Sequence, residues 1–162
     1  MAKSKRKRGV KLEAHESSGY WYDPQGQKHR DNYGIITDSL LRSAAAAKLT
    51  SRQIVLLSVC KLQLAGKHRP IQDLDLIEDI EARAAVKELA EYTFYLTWQG
   101  VQPYNLYGRG CEKAFYNDMH ALIDAGFLRK LTSVATRKED WPKTVYLVVS
   151  NWHTRRKQNN EQ

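Results

Sequence analysis

The sequence predicts an α+β fold, mostly α, in which helices lead into a C-terminal β-hairpin. Three observations carry this. Phe115, Met119 and Leu122 recur at helical spacing and the pattern stops at Gly126. A second apolar run, Ile54 to Leu64, lies between a Thr50/Gln53 capping pattern and Gly66. Two β-branched and aromatic stretches, Phe127 to Leu131 and Thr144 to Ser150, flank a long charged loop.

In chain order, Met1 to Lys11 (MAKSKRKRGVK) lacks apolar periodicity and cannot offset the entropy of ordering, so residues 1–18 are expected to form a flexible basic arm. Its cluster Lys5, Arg6, Lys7 and Arg8 suits phosphates or a minor groove. Tyr20-Trp21-Tyr22 followed by Asp23-Pro24-Gln25-Gly26 reads as a short strand and a turn. Those aromatics either alternate faces so that one covers a core edge, the preferred reading, or stack on bases. Thr37 to Lys48 (TDSLLRSAAAAK) combines a capping threonine with an alanine run and predicts a first helix. The Thr50 helix is apolar over so much of its surface that it is expected at the centre of the core.

Residues 66–91 read as an inserted acidic helical segment, with Pro70, then Asp73, Asp75, Glu78, Asp79 and Glu81, then EARAAVKELAE. Such acidity repels phosphate, so the segment is expected to face away from nucleic acid or to meet a protein partner. Tyr92 to Leu96 reads as a strand and Thr97 as the cap of a brief helix, which Pro103 keeps very short or shifts to begin near itself. From Gly110 to Ala125 a helix is predicted with Cys111, Phe115, Met119 and Leu122 on its packed stripe. Gly126 supplies a left-handed stop. The loop Thr132 to Lys143 then carries Arg137, Lys138, Trp141 and Lys143.

Composition bounds the function. A chain of 162 residues that is 42% hydrophobic supports one core, placing a single domain at 19–152 between the arm and a disordered basic tail at 153–162. No apolar run reaches the roughly 20 residues of a membrane span, and no apolar segment follows the charged N-terminus, so a cytoplasmic protein is expected. Cys60 and Cys111 lack metal-ligand spacing and read as reduced core residues. Charge is segregated: residues 1–30 carry eight Lys/Arg against three Asp/Glu, residues 31–100 eight against nine, and residues 101–162 ten against six. Basic ends around a neutral middle fit a polyanion-binding surface better than a uniform solubility surplus; solvated basic tails are the plainer alternative. No phosphate loop, HExxH or GxSxG motif is present, and the five histidines are scattered, so no enzymatic activity, cofactor or metal is expected.

The phrase LIDAGFL, the helix before it and the hairpin after it resemble the end of a winged helix-turn-helix. An amphipathic helix followed by an ordinary hairpin would share much of the pattern. Taken with IITDSLLRSAAAAKLTSRQIVLLSVCKLQLAGK, FYLTW, AFYNDMHALIDAGFL and VYLVVSNW, about 120 residues look similar to the N-terminal winged-helix domain of plasmid and phage replication initiators. The resemblance implies double-stranded DNA binding in replication initiation or transcriptional control of a mobile element, with homodimerisation on paired half-sites. Ending at Gln162, the chain fits a small accessory replication protein or regulator better than a complete initiator.

With Phe115, Met119 and Leu122 inward, Arg109, Lys113, Tyr116, Asn117 and His120 fall on the outward face, where they suit base edges and backbone oxygens. Glu112 reads as a dipole or solubility residue and Asp118 as turned aside. The loop cations Arg137, Lys138 and Lys143, the arm and the tail Arg155-Arg156-Lys157 complete the phosphate set. The competing class is a non-enzymatic assembly or RNA-binding protein that uses the winged helix as a contact scaffold.

Overall fold

The computed structural model describes residues 20–30, 36–135 and 142–149. The arm with Lys5, Arg6, Lys7 and Arg8, the loop residues Arg137, Lys138 and Trp141, and the tail lie outside the described residues. The chain divides into two units after Tyr33.

The first unit contains an antiparallel hairpin, β1 (Tyr20–Tyr22) and β2 (Lys28–Arg30), with Trp21 opposite His29. Its turn is built around Asp23, whose Oδ1 accepts from the Gln25 and Gln27 backbone N–H groups at 3.0 and 2.8 Å. This is the local side-chain bonding that makes Asp a turn residue. Gly26 adopts a φ of +78°, which an L side chain resists. Tyr22 is exposed, and the side chains of Tyr20 and Trp21 lie outside the described set.

The second unit is α+β with a three-stranded antiparallel sheet in the order β3-β5-β4, formed by β3 (Thr93–Tyr95), β4 (Leu128–Val134) and β5 (Lys143–Val148). Both faces are buried. Side chains alternate along a strand, so Tyr146 and Val148 join one apolar layer while Val145 joins the other, and Phe94 parts from Tyr95 in the same way. In β4 the register shifts between Lys130 and Thr132. That extra residue moves Val134 to the same layer as Leu131, away from Leu128.

The first layer packs two helices on the sheet. Helix α2 (Ser51–Gln63) begins with the expected capping box: Thr50 Oγ1 accepts from Gln53 N at 3.2 Å, and Gln53 Oε1 accepts from Thr50 N at 2.9 Å. It buries Leu56, Leu57, Val59 and Cys60 against Phe115, Met119 and Leu122 of α5 (Glu112–Asp124). Helix α5 ends at Gly126, φ +87°, where Phe127 N donates to Leu122 O and Gly126 N to Ile123 O, both at 3.0 Å. That pair of bonds is the glycine-terminated stop expected from the sequence.

The second layer comes from residues 66–91. A 3₁₀ stretch, Pro70–Leu76, broken at Asp73, and helix α3 (Ile80–Glu88) bring Ile77, Ala82 and Val86 against Val134 and Val145. The acidic side chains Asp75, Glu78, Asp79 and Glu81 stay exposed. Part of that acidity starts α3: Asp79 Oδ1 accepts from Ala82 N at 2.9 Å, and Glu81 sits in the first turn, beside the positive helix end. Arg69 fastens the segment at both ends, donating to Leu64 O at the close of α2 and to Ala90 O, the latter at 2.7 Å.

Three expectations need correction. The alanine run is not one helix: α1 is a single turn (Asp38–Leu41) followed, after a break, by a 3₁₀ turn at Ala46–Lys48. Buried Ser43 lies in the break, its Oγ donating to Leu40 O at 2.6 Å and accepting from Ala46 N at 3.1 Å, a side-chain alternative to the helical ladder. Cys111 is exposed at the N-cap of α5 and is not a core residue, whereas Cys60 is buried. The loop is shorter than expected, because Thr132, Ser133, Val134 and Lys143 pair within the sheet. The brief helix α4 (Trp98–Val101), capped by Thr97, gives way to a 3₁₀ turn holding Pro103, as the proline requires.

Candidate functional site

Helix α5 is built so that one side is consumed by the fold and the other is not. Phe115, Met119 and Leu122 are fully buried, while Glu112, Lys113, Tyr116, Asn117 and His120 are exposed, with exposed Arg109 in the turn just before. The expected outward set on α5 therefore shares one helix face. Tyr116 is the most constrained member: its ring lies 4.9 Å from that of Phe115, and partial burial, with Glu112 nearby, raises its phenol pKa.

Lys143 does not belong to the loop. It opens β5, half-buried, with Nζ 6.0 Å from the centroid of the Tyr95 ring. The Tyr95 hydroxyl donates to Asp73 Oδ2 at 2.9 Å, the same oxygen that His68 Nε2 approaches at 2.8 Å, and the His68 ring stacks on Tyr95 at 5.7 Å. Burial first, then the Asp73 carboxylate, raises the Tyr95 pKa, so this hydroxyl remains a donor. The cluster joins the 3₁₀ stretch to β3 rather than extending the α5 face.

Asp118 is turned aside from the outward face, and its place is inside the protein: it is buried, accepting from Arg52 Nε at 2.7 Å, from Tyr107 Oη at 2.7 Å and from Gln53 Nε2 at 3.0 Å. Gln53 thus closes the α2 capping box with its oxygen and reaches α5 with its nitrogen. The Arg52 guanidinium carbon lies 4.9 Å from the Tyr107 ring centroid, within cation–π range. Burial alone would raise the Asp118 pKa, but the bonds from Arg52, Tyr107 and Gln53 outweigh it and hold the carboxyl below its ordinary value. The same carboxylate raises the pKa of Arg52. A signal was present in the sequence: Phe115, Asp118 and Leu122 follow i, i+3, i+7 spacing, which sets the acid at the edge of the packed stripe.

In the hairpin unit, His29 Nε2 lies 2.9 Å from Asp23 Oδ2, and that contact, with the turn N–H groups, lowers the Asp23 pKa. Among the described residues no group of three or more His, Cys, Asp or Glu side chains is placed to hold a metal ion, and no helix is long and apolar enough to cross a membrane. Comparison with protein-family models, with curated proteins and with solved structures finds no match.

Proposed function

We propose that this chain is a double-stranded DNA-binding protein built on a winged helix-turn-helix, with α5 as the helix that enters the major groove and the β4–β5 hairpin as the wing. It acts in replication initiation or transcriptional control of a plasmid, phage or other mobile element. The order is α2, α3, β3, α4, α5, β4, β5, with the sheet ordered β3-β5-β4; it supports the reading when residues 66–91, which hold α3, are taken as an insertion. The observation that carries it is the exposed face of α5 with Lys113, Asn117 and His120, flanked by Arg109, on a helix whose opposite face is locked into the core. Lys and Arg donate to guanine or phosphate, and Asn pairs with adenine in the major groove.

The face is only mildly basic, since Glu112 and Asp124 are exposed on it. The arm and the loop cations Arg137 and Lys138 are therefore assigned much of the phosphate binding in this reading. Selection from a random duplex pool by the purified chain at physiological salt tests it. An enriched motif is expected, with affinity falling roughly a thousandfold between about 50 and 200 mM salt if about six phosphates are contacted. Equal affinity for random duplex, RNA and the selected duplex overturns it in favour of an assembly or RNA-binding role.

A further inference from the structure

The contact between Arg52 and Asp118 is lopsided. Asp118 is almost wholly buried with all three partners in place, whereas the Arg52 side chain is 46% exposed. One of the five guanidinium donors, the Nε–H, is spent on the carboxylate. Among the described residues the terminal nitrogens of Arg52 make no hydrogen bond. The Tyr107 ring lies within cation–π range of the group, 4.9 Å from its central carbon. A bidentate ion pair would set two parallel bonds on the carboxylate; here the bond to Asp118 is made through Nε.

The surface next to Asp118 follows from the helix. At about 100° per residue, Asp118 sits on the edge of the packed stripe of α5, and the next positions round toward Lys113 and Asn117 are Ala114 and Ala121. Both are half-buried alanines, with side chains that add no bulk between Asp118 and the Lys113–Asn117 flank. Arg52 also occupies the first turn of the 13-residue α2, where the helix dipole favours an approaching anion.

We infer that Arg52 is a phosphate-binding residue, its guanidinium held by Asp118 and Tyr107 so that its free donors meet the backbone of a duplex docked on the Lys113–Asn117 flank of α5. This rests on the DNA-binding reading and extends it to a residue 66 positions away in sequence from the acid that orients it. Arg52 then binds without reading bases, so its loss weakens all duplexes alike.

The test measures duplex affinity against salt for the full chain, for Arg52→Gln, and for the double variant Arg52→Gln/Asp118→Asn. The double variant leaves no buried carboxylate without its cation and carries the test should the single one fail to fold. Loss of one phosphate contact makes the affinity drop between about 50 and 200 mM salt some 3–4-fold smaller, equally for selected and random duplexes. A variant that melts like the parent and keeps the parent's salt slope overturns the inference while leaving DNA binding intact. If the parent itself shows no salt-dependent duplex binding, the DNA-binding reading fails and the role of Arg52 falls with it.

Discussion

The two faces of the β3-β5-β4 sheet are both buried, but by different means. One is covered by α2 and α5, each 13 residues long, and holds the large side chains Phe94, Phe115, Phe127, Leu56, Leu57 and Met119. The other is covered by a 3₁₀ stretch and the nine-residue α3, and its fully buried members are no larger than Ile77. Burial of a large apolar side chain contributes about 1.5–3 kcal/mol, so the first layer has more to gain from apolar contact alone. The second layer is fastened by polar groups instead: the Asp79 cap, the Tyr95–Asp73 hydrogen bond, and Arg69 on the Leu64 and Ala90 carbonyls. Acidic composition in residues 73–81 is thus partly a consequence of how a thin layer is held in place, through Asp73 and Asp79.

Substitutions that cut each layer sharpen this contrast. Phe115→Ala removes a fully buried ring from the first layer and is expected to cost about 3–5 kcal/mol, read as a fall in the urea midpoint with unchanged slope. Next is the polar node inside the same layer. Asp118→Ala leaves Gln53 Nε2 and Tyr107 Oη without their acceptor and should cost about 1.5–3 kcal/mol. Its pH signature is specific: the folded pKa of Asp118 is depressed, so its contribution is complete above the unfolded value of about 4 and is lost as pH falls through the lower folded value. Asp118→Asn therefore flattens the acid limb of the stability curve; an acid limb identical to the parent's would remove the carboxylate from the account. Smaller again is Val86→Ala in the second layer, which deletes two buried methyl groups at about 1.5 kcal/mol. A single shared transition in this variant would mean that the two layers unfold together. Faster amide exchange confined to residues 70–88 would mean that the thin layer opens by itself.

The parts of the fold that were legible in the sequence are those whose cause is local. Phe115, Met119 and Leu122 lie within eight residues, the Thr50/Gln53 box within four, and Gly126 directly after the helix it stops. Each could be read because the residues that decide the geometry stand beside one another. The broken alanine run also has a local cause, but propensity hides it: alanines favour helix, and the Ser43 hydroxyl supplies a competing bond that residue averages do not weigh. The second layer was not legible because it depends on a one-residue shift in β4, and that shift moved Val134 from an expected loop into the core. Of the candidate site, the outward α5 face followed from helical period alone. Arg52 did not, since its place is set by an acid on another helix and by a tyrosine in the connecting loop.

The smallest expected effect on stability separates fold from function on α5 itself. Lys113→Gln and Asn117→Ala change exposed side chains on the face opposite Phe115 and Leu122, so each should alter unfolding free energy by less than about 0.5 kcal/mol. If that face reads bases, the same substitutions lower preference for the selected duplex by about 1–3 kcal/mol each, because the wrong base then no longer leaves a donor or acceptor unpaired. A large melting shift would instead show the outward side chains to be holding the fold, and the face would not be free to dock. Small stability change with lost discrimination is the combination expected of a helix that packs with one side and reads with the other.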